Sequence, residues 1–176
     1  MKFKLEEADL VEVKRIISQV EDDSSQIDNI VNEIITPYCK SLDNYVSFIR
    51  ECLADGQNPP TDVELEDWCM NLSTYIYFAG GLCEQLGVRD DISKSVWKET
   101  YHSERNKLER GTVADKDSQA ELASQKEQIV NICYNRSYRI MKAKVESAQE
   151  LMSSCKKVLG RRMQEMELTH MGGSGR

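Results

Sequence analysis

The sequence predicts an all-α protein, an antiparallel helical bundle with a long C-terminal helix used for oligomerisation. Three observations lead to this fold class. The 176 residues include only three prolines and nine glycines, which suits long helices better than a turn-rich β-structure. Apolar residues recur at alternating three- and four-residue steps along most of the chain. No segment has a convincing strand pattern.

Residues 1–55 are predicted to form an acidic helical arm. Helical spacing of Leu10, Val13, Ile16 and Ile17 indicates a short first helix, and residues 21–25 offer a break and an N-cap. A second helix is expected from about Ser25 to Ala54, with a kink or a division at Pro37. Its apolar seam comprises Ile27, Val31, Ile34, Tyr38, Leu42, Tyr45, Ile49 and Cys52. This seam must pack on something, and we expect the arm to fold back antiparallel onto residues 61–86.

A loop over residues 56–60 is predicted to join the arm to a helical body, residues 61–168. Thr61 and Glu64 have the spacing of a capping box, and the helix they open carries an apolar seam as far as Leu86. Gly87 is predicted to end this helix as a left-handed cap, and Gly80-Gly81 to mark a close helix–helix approach. A fourth helix is expected to begin at Asp90 or Asp91 and to reach Arg110.

The last predicted helix runs from about Asp117 to Glu167, after a short turn over residues 112–117. Its seam steps by four and three residues from Tyr134 to Leu159, so it requires a partner helix from the same chain or from another copy. We predict a homo-oligomer held by this seam, with disorder over residues 169–176. The predicted interface residues are Tyr138, Met141, Val145, Ala148, Met152, Cys155 and Leu159.

Catalytic, metal and membrane signatures are missing from the sequence. No phosphate-binding glycine loop, zinc-protease motif or nucleophile elbow occurs, so no enzymatic activity and no cofactor are expected. Six cysteines without a C-x-x-C pair, and only two histidines, favour buried reduced thiols over a zinc site. No apolar run is long enough to span a membrane and no signal sequence is recognisable, which predicts a cytoplasmic protein.

Cations and aromatic residues interleave on the fourth predicted helix. Lys94, Lys98, Tyr101 and Arg105 share one helix face, with Trp97 at its edge. Cations that follow phosphates, together with rings that stack on bases, are typical of sequence-tolerant binding to single-stranded nucleic acid. The alternative is equally open: the aromatic rings belong to the core and the lysines form a solvated rim.

A second basic cluster lies in the last helix, although the net charge of the chain is −7. Between residues 136 and 162 there are eight lysines and arginines and two glutamates. Arg136, Arg139 and Lys142 are candidate nucleic-acid contacts there. The interleaved Tyr134 and Tyr138 are also seam residues, so a core position is the more probable role for these two rings.

Residues 61–168 resemble the UvsY-like recombination mediators of T4-type phages. The resemblance lies in an early helix, a basic-aromatic helix over Lys94–Arg110, the segment Thr112-Val113-Ala114-Asp115-Lys116-Asp117 and a C-terminal helix with a seam of small and apolar residues. It implies a non-enzymatic protein that binds single-stranded DNA and forms ring-like homo-oligomers through its C-terminal helices. It also implies that the protein helps a RecA-like recombinase displace single-strand-binding protein, in the host cytoplasm if the protein is phage-encoded.

Two other functions remain open from the sequence. A helical scaffold or adaptor, for example in phage assembly, would form oligomers without a salt-sensitive affinity for single strands. A single-strand annealing protein would pair complementary strands without a recombinase.

Overall fold

The described part of the chain forms three long helices and one short one. A computed structural model describes residues 7–54 and 59–173, and the side chains of residues 9–54 and 59–169 among them. The helices are α1 (Glu7–Ala54), α2 (Asp62–Lys107), α3 (Val113–Ala123) and α4 (Gln125–Gly173). These described residues include no strand, so the predicted all-α helical bundle is confirmed. None of the described helices is both long and apolar enough to cross a membrane.

Helices α2 and α4 form an antiparallel pair along most of the molecule. Near one end, Arg162 Nη1 donates a 2.8 Å hydrogen bond to Asp62 Oδ1, at the start of α2. Toward the other end, Asn131 Nδ2 donates a 3.0 Å bond to Ser93 Oγ. With its 46 residues, α2 is roughly 70 Å long.

Helix α1 packs against both members of this pair. Its C-terminal half runs antiparallel to α2, and the rings of Tyr45 and Tyr75 lie 5.0 Å apart. It runs parallel to α4, where Lys144 Nζ donates 2.7 Å bonds to both carboxylate oxygens of Asp43. The predicted antiparallel return of the arm onto residues 61–86 is confirmed by the shared burial of Ile49 and Trp68.

The core is formed by two apolar clusters between the three long helices. The first includes Val31, Ile35, Leu42, Leu86 and Met141. The second includes Ile49, Leu65, Trp68, Leu72 and Cys155. Only the part of α1 from Ile27 to Ile49 joins these clusters. Residues 9–23 of α1 are exposed.

Helix α1 is longer and more regular than the sequence predicts. The expected break over residues 21–25 is wrong, because the chain is helical throughout. Ser25 Oγ donates a 2.9 Å bond to the Glu21 carbonyl oxygen, inside the helix, and does not cap a new one. Pro37 also lies within the helix and does not divide it. Because Pro37 and Glu33 are exposed, water can satisfy the carbonyl group that the proline leaves without a donor.

The start of α2 has the predicted capping box. Glu64 N donates a 3.2 Å bond to Thr61 Oγ1, and Thr61 N donates a 2.7 Å bond to Glu64 Oε2. These hydrogen bonds from Thr61 lower the pKa of Glu64. Of the predicted loop over residues 56–60, residues 56–58 lie outside the described part, and residues 59 and 60 are non-helical.

Gly87 does not end a helix, and the predicted third and fourth helices are one helix, α2. Among the described glycines only Gly111 has a positive φ, of 116°. A Cβ at Gly87 would lie 3.3 Å from Cε2 of Tyr138, so this glycine permits close packing of α2 on α4. The close approach expected at Gly80-Gly81 is wrong, since a Cβ at either would meet nothing within 4 Å.

Asp90, predicted as a possible N-cap, instead joins a polar cluster between α2 and α4. Asn135 Nδ2 donates a 3.0 Å bond to Asp90 Oδ2, and Asn131 Nδ2 donates a 3.3 Å bond to Asp90 Oδ1. Ser93 is buried and accepts the bond from Asn131. Because these hydrogen bonds join specific positions of the two helices, the cluster favours one register of α2 against α4.

The predicted oligomer seam of α4 lies inside a single chain. Met141, Ala148 and Cys155 are buried in the two apolar clusters. Tyr138, Val145, Met152 and Leu159 are partly buried and pack against the same clusters. The partner helices that the seam requires are therefore α1 and α2 of the same chain, which corrects the predicted interface between copies.

Five of the six cysteines are buried, and only Cys52 is exposed. Burial raises the pKa of Cys39 to about 11, with a further contribution from Asp43. Burial also raises the pKa of Cys69, Cys83 and Cys133. Five of the six thiols therefore occupy the buried positions that the sequence favours, and Cys52 does not.

Candidate nucleic-acid interface

The predicted cation–aromatic face lies on the second half of α2, in uninterrupted helix. Lys94 and Lys98 are exposed, whereas Trp97, Tyr101 and Arg105 are half-buried toward the neighbouring helices. The helix therefore presents two exposed ammonium groups, which form no ion pair with the residues that the structure describes, beside partly accessible rings. Because the helix is continuous, Lys94, Lys98, Tyr101 and Arg105 share one face, with Trp97 at its edge.

A surface groove adjoins these rings. It has a volume of about 500 Å³, and all three of α2, α3 and α4 contribute to it. Its lining residues are Trp97, Lys98, Tyr101, His102, Glu121 and Gln128. The rings of Tyr101 and His102 meet edge to face, with centroids 5.3 Å apart. Aromatic surface and one cation thus line one wall, and a carboxylate and an amide line the other.

Asp117 of α3 accepts hydrogen bonds from two side chains of this face, Tyr101 and Arg105. The hydroxyl of Tyr101 donates a 3.1 Å hydrogen bond to Asp117 Oδ1, and Arg105 Nε donates to the same oxygen. The bond from Arg105 lowers the pKa of Asp117, although burial opposes this effect. Burial raises the pKa of Tyr101, and Asp117 raises it further. Arg105 is consequently an ion-pair partner within the chain, unlike Lys94 and Lys98.

The segment that carries the family resemblance is the helix start that positions Asp117. Gly111 turns the chain, and Thr112 caps α3 by accepting a 3.2 Å bond from Asp115 N. Asp115 Oδ2 accepts bonds of 3.1 Å and 2.7 Å from the Thr112 backbone and hydroxyl. These bonds lower the pKa of Asp115. The predicted turn over 112–117 is therefore the first turn of α3, whose break from α4 falls at Ser124.

The Asp117 contact predicts a pH-dependent link between α2 and α3. A depressed folded-state pKa contributes stability above the unfolded value of about 3.9, and this contribution is lost as the pH falls through the folded value. We expect Asp117→Asn to lower the free energy of unfolding at pH 6 and to lower it less at pH 2.5. Urea titrations of both proteins at both pH values measure this, and an equal difference at the two values would contradict it.

The second predicted cluster is not part of the groove. Arg136 Nη2 lies 3.8 Å from Asp28 Oδ1 of α1, and no residue of α1 lines the groove. Arg136 and Arg139 line a separate depression, and Lys142 is exposed. Tyr138 packs against the core, as the core interpretation of this ring predicts. The two basic clusters thus form separate surfaces.

Three groove residues were missed by the sequence analysis as site residues. His102 follows Lys98 by four residues, so the sequence alone predicts that it lies on the same side of α2. No sequence pattern predicts Glu121 and Gln128 as groove residues, because they reach the groove only through the packing of α3 and α4 on α2. Comparison of the chain with protein-family models, curated proteins and solved structures finds no match.

Proposed function

We propose that the protein is a non-enzymatic single-stranded DNA-binding protein that acts as a recombination mediator. One observation carries the DNA-binding part: Trp97, Lys98, Tyr101 and His102 line a single open groove on α2. The mediator part rests on the resemblance to the UvsY-like proteins, in which a RecA-like recombinase and single-strand-binding protein are the partners.

The groove suits an unpaired base better than a duplex. A single-stranded base has a free π-face, and stacking on an aromatic side chain is worth about 1–3 kcal/mol per base. Trp97 and Tyr101 are only partly buried, so ring surface remains accessible in the groove. In a duplex both faces of each base are already stacked, so the preference is for single strands.

Lys94 and Lys98 supply the electrostatic part of the proposal. Both are exposed, and neither forms an ion pair among the described residues. They lie one helical turn apart, so they can follow consecutive phosphates beside the groove. Because contacts of these two lysines with phosphates release counterions, binding is expected to weaken as the salt concentration rises.

Charge reversal at Lys94 and Lys98 tests the proposal. We expect Lys94→Glu/Lys98→Glu to weaken binding of labelled oligo-dT at least tenfold at low salt. The plot of log affinity against log salt should flatten by about 1.4, at about 0.7 for each lost phosphate contact on a single strand. Fluorescence anisotropy over a salt series, with duplex DNA in parallel, measures both quantities.

Lys40→Glu/Arg50→Glu is the matched control, since both residues are exposed on α1 and the net charge changes equally. It should bind oligo-dT nearly as the wild type does. Equal losses in the two variants would mean that only total charge matters. If neither variant loses affinity, the DNA lies elsewhere, and Arg136, Arg139 and Lys142 become the residues to test.

The mediator role requires its own measurement. The wild type is expected to speed assembly of a RecA-like recombinase on DNA coated with single-strand-binding protein, and Lys94→Glu/Lys98→Glu is expected not to. Pairing of complementary strands without any recombinase would identify an annealing protein instead.

A scaffold or adaptor is the second candidate, and the exposed apolar stripe on α1 favours it. Leu10, Val13, Ile17 and Val20 are all exposed, in the part of α1 that packs on none of the described residues. Oligomers without salt-sensitive affinity for oligo-dT would support this function over the first.

A further inference from the structure

Two apolar surfaces at the same end of the molecule lie uncovered. One is the stripe on α1 formed by Leu10, Val13, Ile17 and Val20, here called the α1 stripe. The other is a groove of about 380 Å³ between α2 and α4, here called the upper groove. Its apolar lining includes Ile92, Val96 and Val130, which are 57%, 47% and 48% exposed.

The upper groove continues an interface that α1 already occupies. Farther along, the α2–α4 pair is covered by α1 residues from Ile27 to Leu42, which pack with Leu86 and Cys133. Arg89 contacts α1 within the covered part, since its guanidinium bonds to the Tyr38 hydroxyl and lies 5.4 Å from its ring centroid. Arg89 is also the first residue of the upper groove. The groove is therefore the uncovered extension of a surface built to receive an α1 helix.

The α1 stripe likewise continues the side of α1 that is buried. Its steps of three and four residues lead through Ser24 to Ile27 and Val31, the first α1 residues of the core. Leu10 and Val20 are ten positions apart, a rise of roughly 15 Å, and the α2 side of the groove runs from Arg89 to Val96, seven positions apart or roughly 11 Å. The lengths of helix and groove thus agree to within about one turn.

Charges at the two surfaces are complementary. The groove has Arg89 on its α2 side and Lys126 on its α4 side. Between Asp9 and Asp23 the α1 segment has five acidic and two basic residues. Glu127, which also lines the groove, has a buried Oε2 without a hydrogen-bond partner among the described residues. In a docked α1 segment, Lys14, which follows Val13 in the sequence, supplies a cation for that oxygen.

The α1 segment of the same chain cannot fill the groove in this fold. Helix α1 is uninterrupted from Glu7 to Ala54, and its second half is held in the core by Val31 and Ile49. Residues 9–23 are exposed along this continuous helix, so reaching the groove would require breaking it. We propose that the α1 stripe of one copy docks into the upper groove of a second copy of this chain.

Sedimentation or light scattering at micromolar concentration tests the assembly. The wild type is expected to contain two or more copies, and Val13→Asp/Ile17→Asp to be a folded monomer. Val11→Asp is the matched control, because Val11 lies on the opposite side of α1 and is 67% exposed, against 39% for Val13. It should keep the wild-type mass. A monomeric wild type, or equal loss of assembly in both variants, would overturn the proposal.

A cysteine pair tests the site of docking. In a Cys52→Ser background, which removes the exposed thiol, Val13→Cys is placed on one copy and Val96→Cys on another. We expect oxidation to give a cross-linked dimer when the two proteins are mixed, and much less with either alone. Cross-linking of Val13→Cys alone would show that two stripes pair with each other, and a cross-linked monomer of the doubly substituted chain would show closure within one copy. Either result overturns docking into the groove.

The proposal is independent of DNA binding, because Lys94 and Lys98 line neither surface. Lys94→Glu/Lys98→Glu should therefore keep the wild-type mass while losing affinity for oligo-dT. Failure of one proposal would leave the other standing.

Discussion

Met141→Asp is expected to lower the free energy of unfolding by more than about 4 kcal/mol, enough to unfold much of the protein at 25 °C. Met141 is fully buried within the first apolar cluster. An aspartate there either loses its hydration without a partner or takes up a proton, and both cost stability. The nearby Lys144 already donates to both oxygens of Asp43. Urea denaturation followed by circular dichroism measures the change.

Met166→Asp is the matched control on the same helix, because Met166 is 49% exposed. A substitution at such a position usually changes stability by no more than about 0.5 kcal/mol. If Met141→Asp kept wild-type stability but dissociated an oligomer, the α4 seam would be an interface between copies after all. The two results are separated by measuring unfolding and mass on the same samples.

The seams themselves were predictable, but their partners were not. A three–four repeat shows which side of a helix is apolar, and it is the same whether another helix of the chain or another copy covers it. For α4 the covering helices are α1 and α2, as the burial of Met141 and Cys155 shows. For the first half of α1 nothing in the described chain covers the stripe.

Among the predicted helix boundaries, the capping box at Thr61 was correct, whereas the breaks at residues 21–25, at Gly87 and at Asp90 were wrong. Thr61 and Glu64 form the expected box because its hydrogen bonds are local. Gly87 is ambiguous in sequence, since a left-handed cap and a close helix contact both favour glycine. In the structure the close helix contact is the reason for this glycine, because it packs against the ring of Tyr138, which lies 51 residues later in the chain.

The candidate site was likewise predictable in part: the helix face could be predicted from the sequence, and the contacts between helices could not. The common face of Lys94, Lys98 and Tyr101 follows from helical spacing alone. The commitment of Arg105 to Asp117 does not, because it depends on how α3 folds back on α2. Of the cations on this face, the structure therefore leaves Lys94 and Lys98 without an ion pair among the described residues.

Removal of α1 is the second change with a large expected effect. Deleting residues 1–55 takes Val31, Ile35, Leu42 and Ile49 out of the core, and burial of each such side chain stabilises the fold by roughly 1.5–3 kcal/mol. The apolar surfaces of α2 and α4 that these residues cover would then face water. We expect the truncated chain to aggregate or to lose its cooperative unfolding transition.

Trp68 reports on this loss, because it is 4% exposed and packs in the same cluster as Ile49. In a Trp97→Phe background, which leaves Trp68 as the only tryptophan, deletion of residues 1–55 should shift the emission to longer wavelength. Deletion of residues 1–23 is the control, since the described side chains it removes are exposed and none belongs to the core. That shorter deletion should leave the emission and the urea midpoint unchanged. Unaltered emission after the longer deletion would mean that residues 27–49 dock independently of the Trp68 cluster.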